Sequence, residues 1–322
     1  MAPRAASARG ERDSRVFVEE YLVTLRRARF TPRAWMAYAR LCFLRAHASA
    51  WESPDLARSV GVSALVVLAG ALGWALLLSF TLSARLAHRF LVVQFAWLAI
   101  LLAWQFLHLG LLRDADGRMP RRVPIATLIT LARLVVLPGL MSLVLARQFA
   151  WATVAYVAAT ITDVLDGVVA RAMHQITRLG TVLDMLADQA LAVAVFLAMA
   201  RMELAPWYLC GIVVARCALL IGGALYILLC FGPITIRPTA FGKTSGVIGT
   251  VLTSLLLAAP ALFPLAAARH VRDLTSLTLA GLNVANMVQA VLIGMVNLRR
   301  ARLPRPVPVP VASPEHHVRP AS

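Results

Sequence analysis

The chain has 322 residues, of which 60% are hydrophobic and 15% charged, and its mean hydropathy is +0.76. That excludes a pair of ordinary soluble domains, because no compact core of this size hides so much apolar side chain. The 32 basic residues against 15 acidic ones give a net charge of +17; such a charge raises nucleic acid as a partner, but lipid-facing runs and basic loops account for it without one.

Residues 1–58 hold 11 Arg and no early apolar run, so no signal peptide is expected there. Within this segment Thr31-Pro32 reads as an N-cap followed by Pro at the first helical position. Trp35, Met36, Ala39, Cys42 and Phe43 then share one face, with Arg33, Arg40 and Arg45 available for headgroups. Two readings stay open, an interfacial helix and an amphipathic helix docked on protein.

Eight uncharged runs follow, at 60–82, 90–112, 125–145, 149–165, 185–200, 207–231, 247–267 and 274–296. A span needs roughly 20 apolar residues, so the fourth and fifth look short. With the N-terminus in the cytoplasm, 24 basic residues fall on the cytoplasmic side and six opposite, leaving Arg133 and Arg216 inside the membrane. This asymmetry supports eight spans with both termini and the basic loops in the cytoplasm. The tail beyond 298 reads as a disordered Arg- and Pro-rich segment. The four cysteines, Cys42, Cys210, Cys217 and Cys230, lack metal-ligand spacing and read as small packing residues.

The scarce acids are more informative. Only Asp163, Asp166, Asp184 and Asp188 lie between Asp116 and Glu203. Asp163 and Asp166 are three apart on one helix, and Asp184 and Asp188 are four apart on the next, so each pair shares a face. Surface charges in a loop would need no such spacing, whereas carboxylates at membrane depth need a partner or a cation. Four converged carboxylates call for a divalent ion, and an all-oxygen donor set favours Mg²⁺, Mn²⁺ or Ca²⁺. Gly167, Gly180 and Ala170 beside them let a bulky polar ligand approach the backbone.

The full pattern is Asp163-x2-Asp166-Gly167-x2-Ala170-Arg171-x8-Gly180-x3-Asp184-x3-Asp188. It resembles the signature of the CDP-alcohol phosphotransferase family at every fixed position. The resemblance runs from about residue 120 to 298 and implies an all-α, six-helix membrane core. The chain would then divide into a basic N-terminal segment (1–58), two additional transmembrane helices with a basic loop (59–119), the core (120–298) and the tail (299–322). It further implies phosphatidyl transfer from CDP-diacylglycerol to a small or lipid alcohol, with release of CMP, at a bacterial-type inner membrane and with the site facing the cytoplasm. By the same resemblance Asp163, Asp166, Asp184 and Asp188 hold Mg²⁺ or Mn²⁺, and Asp188 also serves as general base. Asp163, Gly167, Ala170, Arg171 and Gly180 would bind the CDP moiety. Homodimers occur among such proteins; nothing in the sequence indicates one here.

On the acceptor side, Thr127, Thr130 and Arg133 recur every three residues ahead of Pro138, similar to the family's first core helix. Arg216 lies mid-span and must face a cavity or a counter-charge. Lys243 is the single Lys of the chain, within a Pro-x3-Gly-Lys stretch similar to the phosphatidylglycerophosphate and cardiolipin synthase branches. Arg133, Arg216, Arg237 and Lys243 are therefore expected to hold an acceptor phosphate, with glycerol 3-phosphate as the leading acceptor and phosphatidylglycerol as the alternative. Two positions depart from the family pattern: Gln189 follows the last Asp where a basic residue is common, and Cys217 follows Arg216 where an acidic one is common. A divalent-cation transporter and a non-catalytic homologue are the rivals from other classes. An Arg among the carboxylates argues against the first, and the intact Asp set against the second.

Overall fold

The computed structural model describes residues 25, 27–52, 54–81, 83–107, 122–172, 178–231 and 239–302. Among the described residues every regular element is a helix. In chain order they are α1 (Pro32–Glu52), α2 (Pro54–Thr81), α3 (Ala84–Leu107), α4 (Ile125–Leu145), α5 (Phe149–Ala172), α6 (Arg178–Arg201), α7 (Trp207–Phe231), α8 (Ala240–Leu262) and α9 (Leu265–Arg302). Six, α2, α4, α6, α7, α8 and α9, contain stretches long and apolar enough to cross a membrane, and the apolar parts of α3 and α5 are shorter. The protein is an integral membrane protein of all-α class, and each of the eight uncharged runs falls within or largely within one of α2–α9.

The helix ends differ from the runs where local chemistry intervenes. The seventh run was expected at 247–267, but α8 starts at Ala240 because Thr239 caps it, its Oγ1 accepting from the Gly242 N–H at 3.0 Å. The helix stops at Phe263, ahead of Pro264, which cannot continue it. The helix of the last run begins at Leu265 and continues to Arg302, 38 residues in all. The second run ends beyond Leu107, so its last residues lie outside the described ones, as do residues 1–24, 108–121 and those from 303 onward.

Helix α4 is the hub of the bundle and packs against α2, α3, α5 and α6. The remaining core closes through α5 with α8, α6 with α7, and α9 with both α7 and α8. The turns from α4 to α5 and from α6 to α7 share one device. Gln148 N–H bonds Leu143 O at 2.9 Å and Leu204 N–H bonds Met199 O at 2.9 Å, closing the helix ends with Arg147 and Glu203 in the left-handed region (φ 60° each). The polar residues of α9 are partly interhelical glue. Asn286 Oδ1 accepts from Ser245 and Gln289 donates to Thr239 across to the start of α8, whereas Asn283 donates to Leu279 O in its own helix.

The start of α1 at Pro32 agrees with the expected cap, and Thr31 O accepts from Ala34 and Trp35. Its expected apolar face is split. Cys42 and Ala46 are buried and dock the helix on α2 and α3, while Trp35, Met36, Phe43 and Leu44 remain exposed. Helix α1 therefore docks on protein along one stripe and keeps a second apolar stripe outside. Cys210 and Cys217 are buried free thiols, as is Cys42, in line with a packing role.

Candidate active site

Three helices build the site. Helix α4 contributes Thr127, Thr130 and Arg133 along one face, all at most 3% exposed. Helix α5 contributes Asp163 two turns or so before its end, and α6 contributes Asp184 and Asp188, one turn apart. The side chains of Asp163, Asp184 and Asp188 converge so that one carboxylate oxygen from each lies within 4.8 Å of the others. Expected from spacing alone, this convergence is what the packing of α4 with both α5 and α6 produces.

Arg133 is the cation at the centre of the cluster. Its Nη1 donates to Asp163 and Asp188, and its Nη2 donates to Asp184 at 3.0 Å. The guanidinium is buried, with 1% of its side chain exposed, whereas the three carboxylates are 38%, 41% and 43% exposed. So the acids face the accessible side and the Arg stands behind them. Among the described residues, one guanidinium against three carboxylates leaves a formal excess of two negative charges. That is the charge of one divalent cation, and hard carboxylate oxygens are the donors Mg²⁺ and Mn²⁺ prefer. The residues present fit such an ion.

The other expected residues fall into three groups. Asp166, Ala170 and Arg171 lie on the last two turns of α5 and Gly180 on the first turn of α6, with side-chain surroundings outside the described residues. Gly167 is half-buried on α5, one residue beyond Asp166. Arg237 lies outside the described residues, and Lys243 is exposed on the first turn of α8. Arg133, expected with the acceptor-side cations, is held by the acidic cluster itself. Arg216 sits half-buried on α7.

Two features went unread in the sequence. Gln189 and Cys217, the two departures from the family pattern, touch each other: the Cys217 thiol donates to Gln189 Oε1 at 2.9 Å. A neutral contact thus joins α6 to α7 between the residue after Asp188 and the residue after Arg216. The other feature is Tyr156, buried on α5 and set beside Thr250 and Thr253 of α8. Its position seven residues before Asp163 puts it on the same helix face, a signal that two-turn spacing could have given.

Comparison with known proteins adds to this geometry. Residues 123–296 match the family pattern described as CDP-alcohol phosphatidyltransferase. The chain is similar to a protein named cardiolipin synthase (CMP-forming) from Rattus norvegicus, 28% identical over 152 residues, covering 42% of this chain and 50% of that protein. It is similar to the protein of the same name from Homo sapiens, 26% identical over 152 residues with the same coverage. The chain spans about half the length of the curated relatives it matches. The matched segment begins just before α4 and ends within α9, so it takes in all three helices of the acidic cluster and leaves α1, α2 and α3 outside. With more than half of its residues inside that pattern and the signature carboxylates drawn together, the chain belongs to the CDP-alcohol phosphatidyltransferase family.

Proposed function

We propose that the protein transfers a phosphatidyl group from CDP-diacylglycerol to an alcohol, releasing CMP, with glycerol 3-phosphate as acceptor. The observation that carries this reading is the convergence of Asp163, Asp184 and Asp188 on Arg133 within the family-matched helices. Asp163, Asp166, Asp184 and Asp188 would hold Mg²⁺ or Mn²⁺. When bound, such an ion neutralises pyrophosphate charge and stabilises the charge on the departing CMP. Gly167, Ala170, Arg171 and Gly180, with Asp163, bind the CDP moiety. Asp188 takes the proton of the acceptor hydroxyl as its oxygen bonds to the phosphatidyl phosphorus and the bond to CMP breaks. Arg216, Arg237 and Lys243 hold the phosphate of the acceptor. Arg133 fixes the carboxylates in place rather than touching the acceptor. Helices α4–α9 form the catalytic core, and the site opens to the cytoplasm of a bacterial-type inner membrane, with both termini on that side.

A second reading is favoured by the names of the two relatives: phosphatidylglycerol as acceptor, giving cardiolipin. Both acceptors carry a phosphate beside a free glycerol hydroxyl, so the same basic residues serve either. Purified protein incubated with CDP-diacylglycerol and Mn²⁺ tests the reading through CMP release, with each acceptor supplied separately. Release with glycerol 3-phosphate supports the first reading, and release only with phosphatidylglycerol replaces it by the second. No CMP with any alcohol overturns both, and Mn²⁺ uptake into protein-containing liposomes would point to transport instead.

A further inference from the structure

Helix α4 contains Pro138 in its interior. Proline has no N–H, so the carbonyl of Leu134, one turn earlier, loses its intrahelical donor. In a hydrocarbon environment a freed carbonyl must be paired by a neighbouring group. The donor comes from outside the family-matched segment: Trp97 Nε1, on α3, bonds Leu134 O at 3.1 Å. On the other side of Pro138, Gly139 leaves no room for a Cβ, which would come within 1.8 Å of Trp74 Nε1 on α2. The two additional helices thus grip α4 on both sides of its proline.

Leu134 directly follows Arg133. The same apolar cluster joins Val67 and Ala71 of α2, Leu98 of α3, Leu131, Leu134 and Val135 of α4, and Leu183 and Ala187 of α6, with Trp97 packed against it. Leu183 and Ala187 are the residues immediately before Asp184 and Asp188. The start of α4 is held too, since Val123 N–H donates to Ser59 Oγ of α2 at 2.9 Å. The pair α2–α3 therefore backs α4 behind Arg133, and the shared apolar cluster reaches the flank of α6 beside Asp184 and Asp188.

We propose that α2–α3 is a positioning element of the active site and that Trp97 is its positioning residue, its indole N–H replacing the backbone donor that Pro138 lacks and so setting where Arg133 meets Asp163, Asp184 and Asp188. This rests on the metal-dependent reading above. The test is a double-mutant comparison on the full-length protein. Trp97→Phe keeps a ring in the apolar cluster and removes the donor together with part of the ring volume; Pro138→Ala restores an N–H at position 138, so the packing loss is common to both backgrounds and the donor loss is not. Trp97→Phe is expected to weaken Mn²⁺ binding and lower kcat about fivefold, with KM for CDP-diacylglycerol little changed, the loss of one hydrogen bond. In the Pro138→Ala background the same substitution should change both by less than about twofold, because Leu134 O then has its own helical donor. Equal losses in the two backgrounds, or no loss in either, would overturn the proposal. Amide hydrogen exchange of the metal-free protein over residues 131–138 gives an independent readout. Faster exchange caused by Trp97→Phe only when Pro138 is present supports the positioning role, and identical exchange in all four proteins rejects it. If the wild-type protein binds no Mn²⁺, the functional reading fails while the exchange pattern still decides the role of Trp97.

Discussion

Arg133 and Arg216 both interrupt apolar runs in mid-helix, and their surroundings differ. Arg133, on α4, is buried and spends its two Nη donors on three carboxylates. Arg216, on α7, is half-buried, and among the described residues no carboxylate pairs with it. An Arg in lipid is costly in either setting. Where its donors are consumed by fixed acids, the charge is part of the scaffold. Where no acid pairs with it, the charge can meet an anion that comes and goes. The difference fits a structural role for Arg133 and agrees with the substrate-holding role proposed for Arg216.

The largest break in that contrast should come from Arg133→Ala. Three carboxylates then converge without their buried counter-charge, a loss on the order of 3 kcal/mol. The metal-free protein should melt at a clearly lower temperature, and excess Mn²⁺ should recover part of the difference. Next in size, Asp188→Asn should lower CMP release by about 100-fold or more, the scale of a lost general base. Mn²⁺-dependent stabilisation should largely survive, because Asp163 and Asp184 remain. Arg216→Ala should leave the melting temperature close to wild type and raise KM for a phosphate-bearing acceptor about tenfold, the scale of a charge-assisted hydrogen bond. A change in KM for CDP-diacylglycerol instead would move Arg216 to the donor side. Cys217→Ser keeps a donor toward Gln189 Oε1 and should alter activity less than about twofold; a larger change would tie this neutral contact to one of its two charged neighbours.

Much of this arrangement can be read from one dimension. Uncharged runs mark α2–α9 because hydrocarbon excludes charge over a whole helix length, and no folding detail can conceal that. The Asp163, Asp184 and Asp188 convergence was legible because a shared helix face follows from spacing alone. The partner of Arg133 was not legible. An Arg mid-helix can face any neighbour, and its spacing to Thr127 and Thr130 says only that the three share a side. Helix rotation in the bundle decides the rest. The contact of Trp97 with Leu134 was hidden for the same reason, 37 residues apart and dependent on which way α3 turns. Helix ends at Ala240 and Leu265 were missed because caps and prolines, not hydropathy, set them.

The turns at Arg147 and Glu203 carry a consequence for handling the molecule. Both residues hold a left-handed backbone that an L side chain adopts at a cost of about 1 kcal/mol, a cost glycine does not incur. Both follow the C-terminal ends of α4 and α6, at the opposite ends of these helices from Ile125 and Arg178. Glycine at the two positions would relieve the strain. Arg147→Gly with Glu203→Gly is therefore expected to raise the melting temperature in detergent with CMP release unchanged, giving a sturdier protein for crystallisation or imaging.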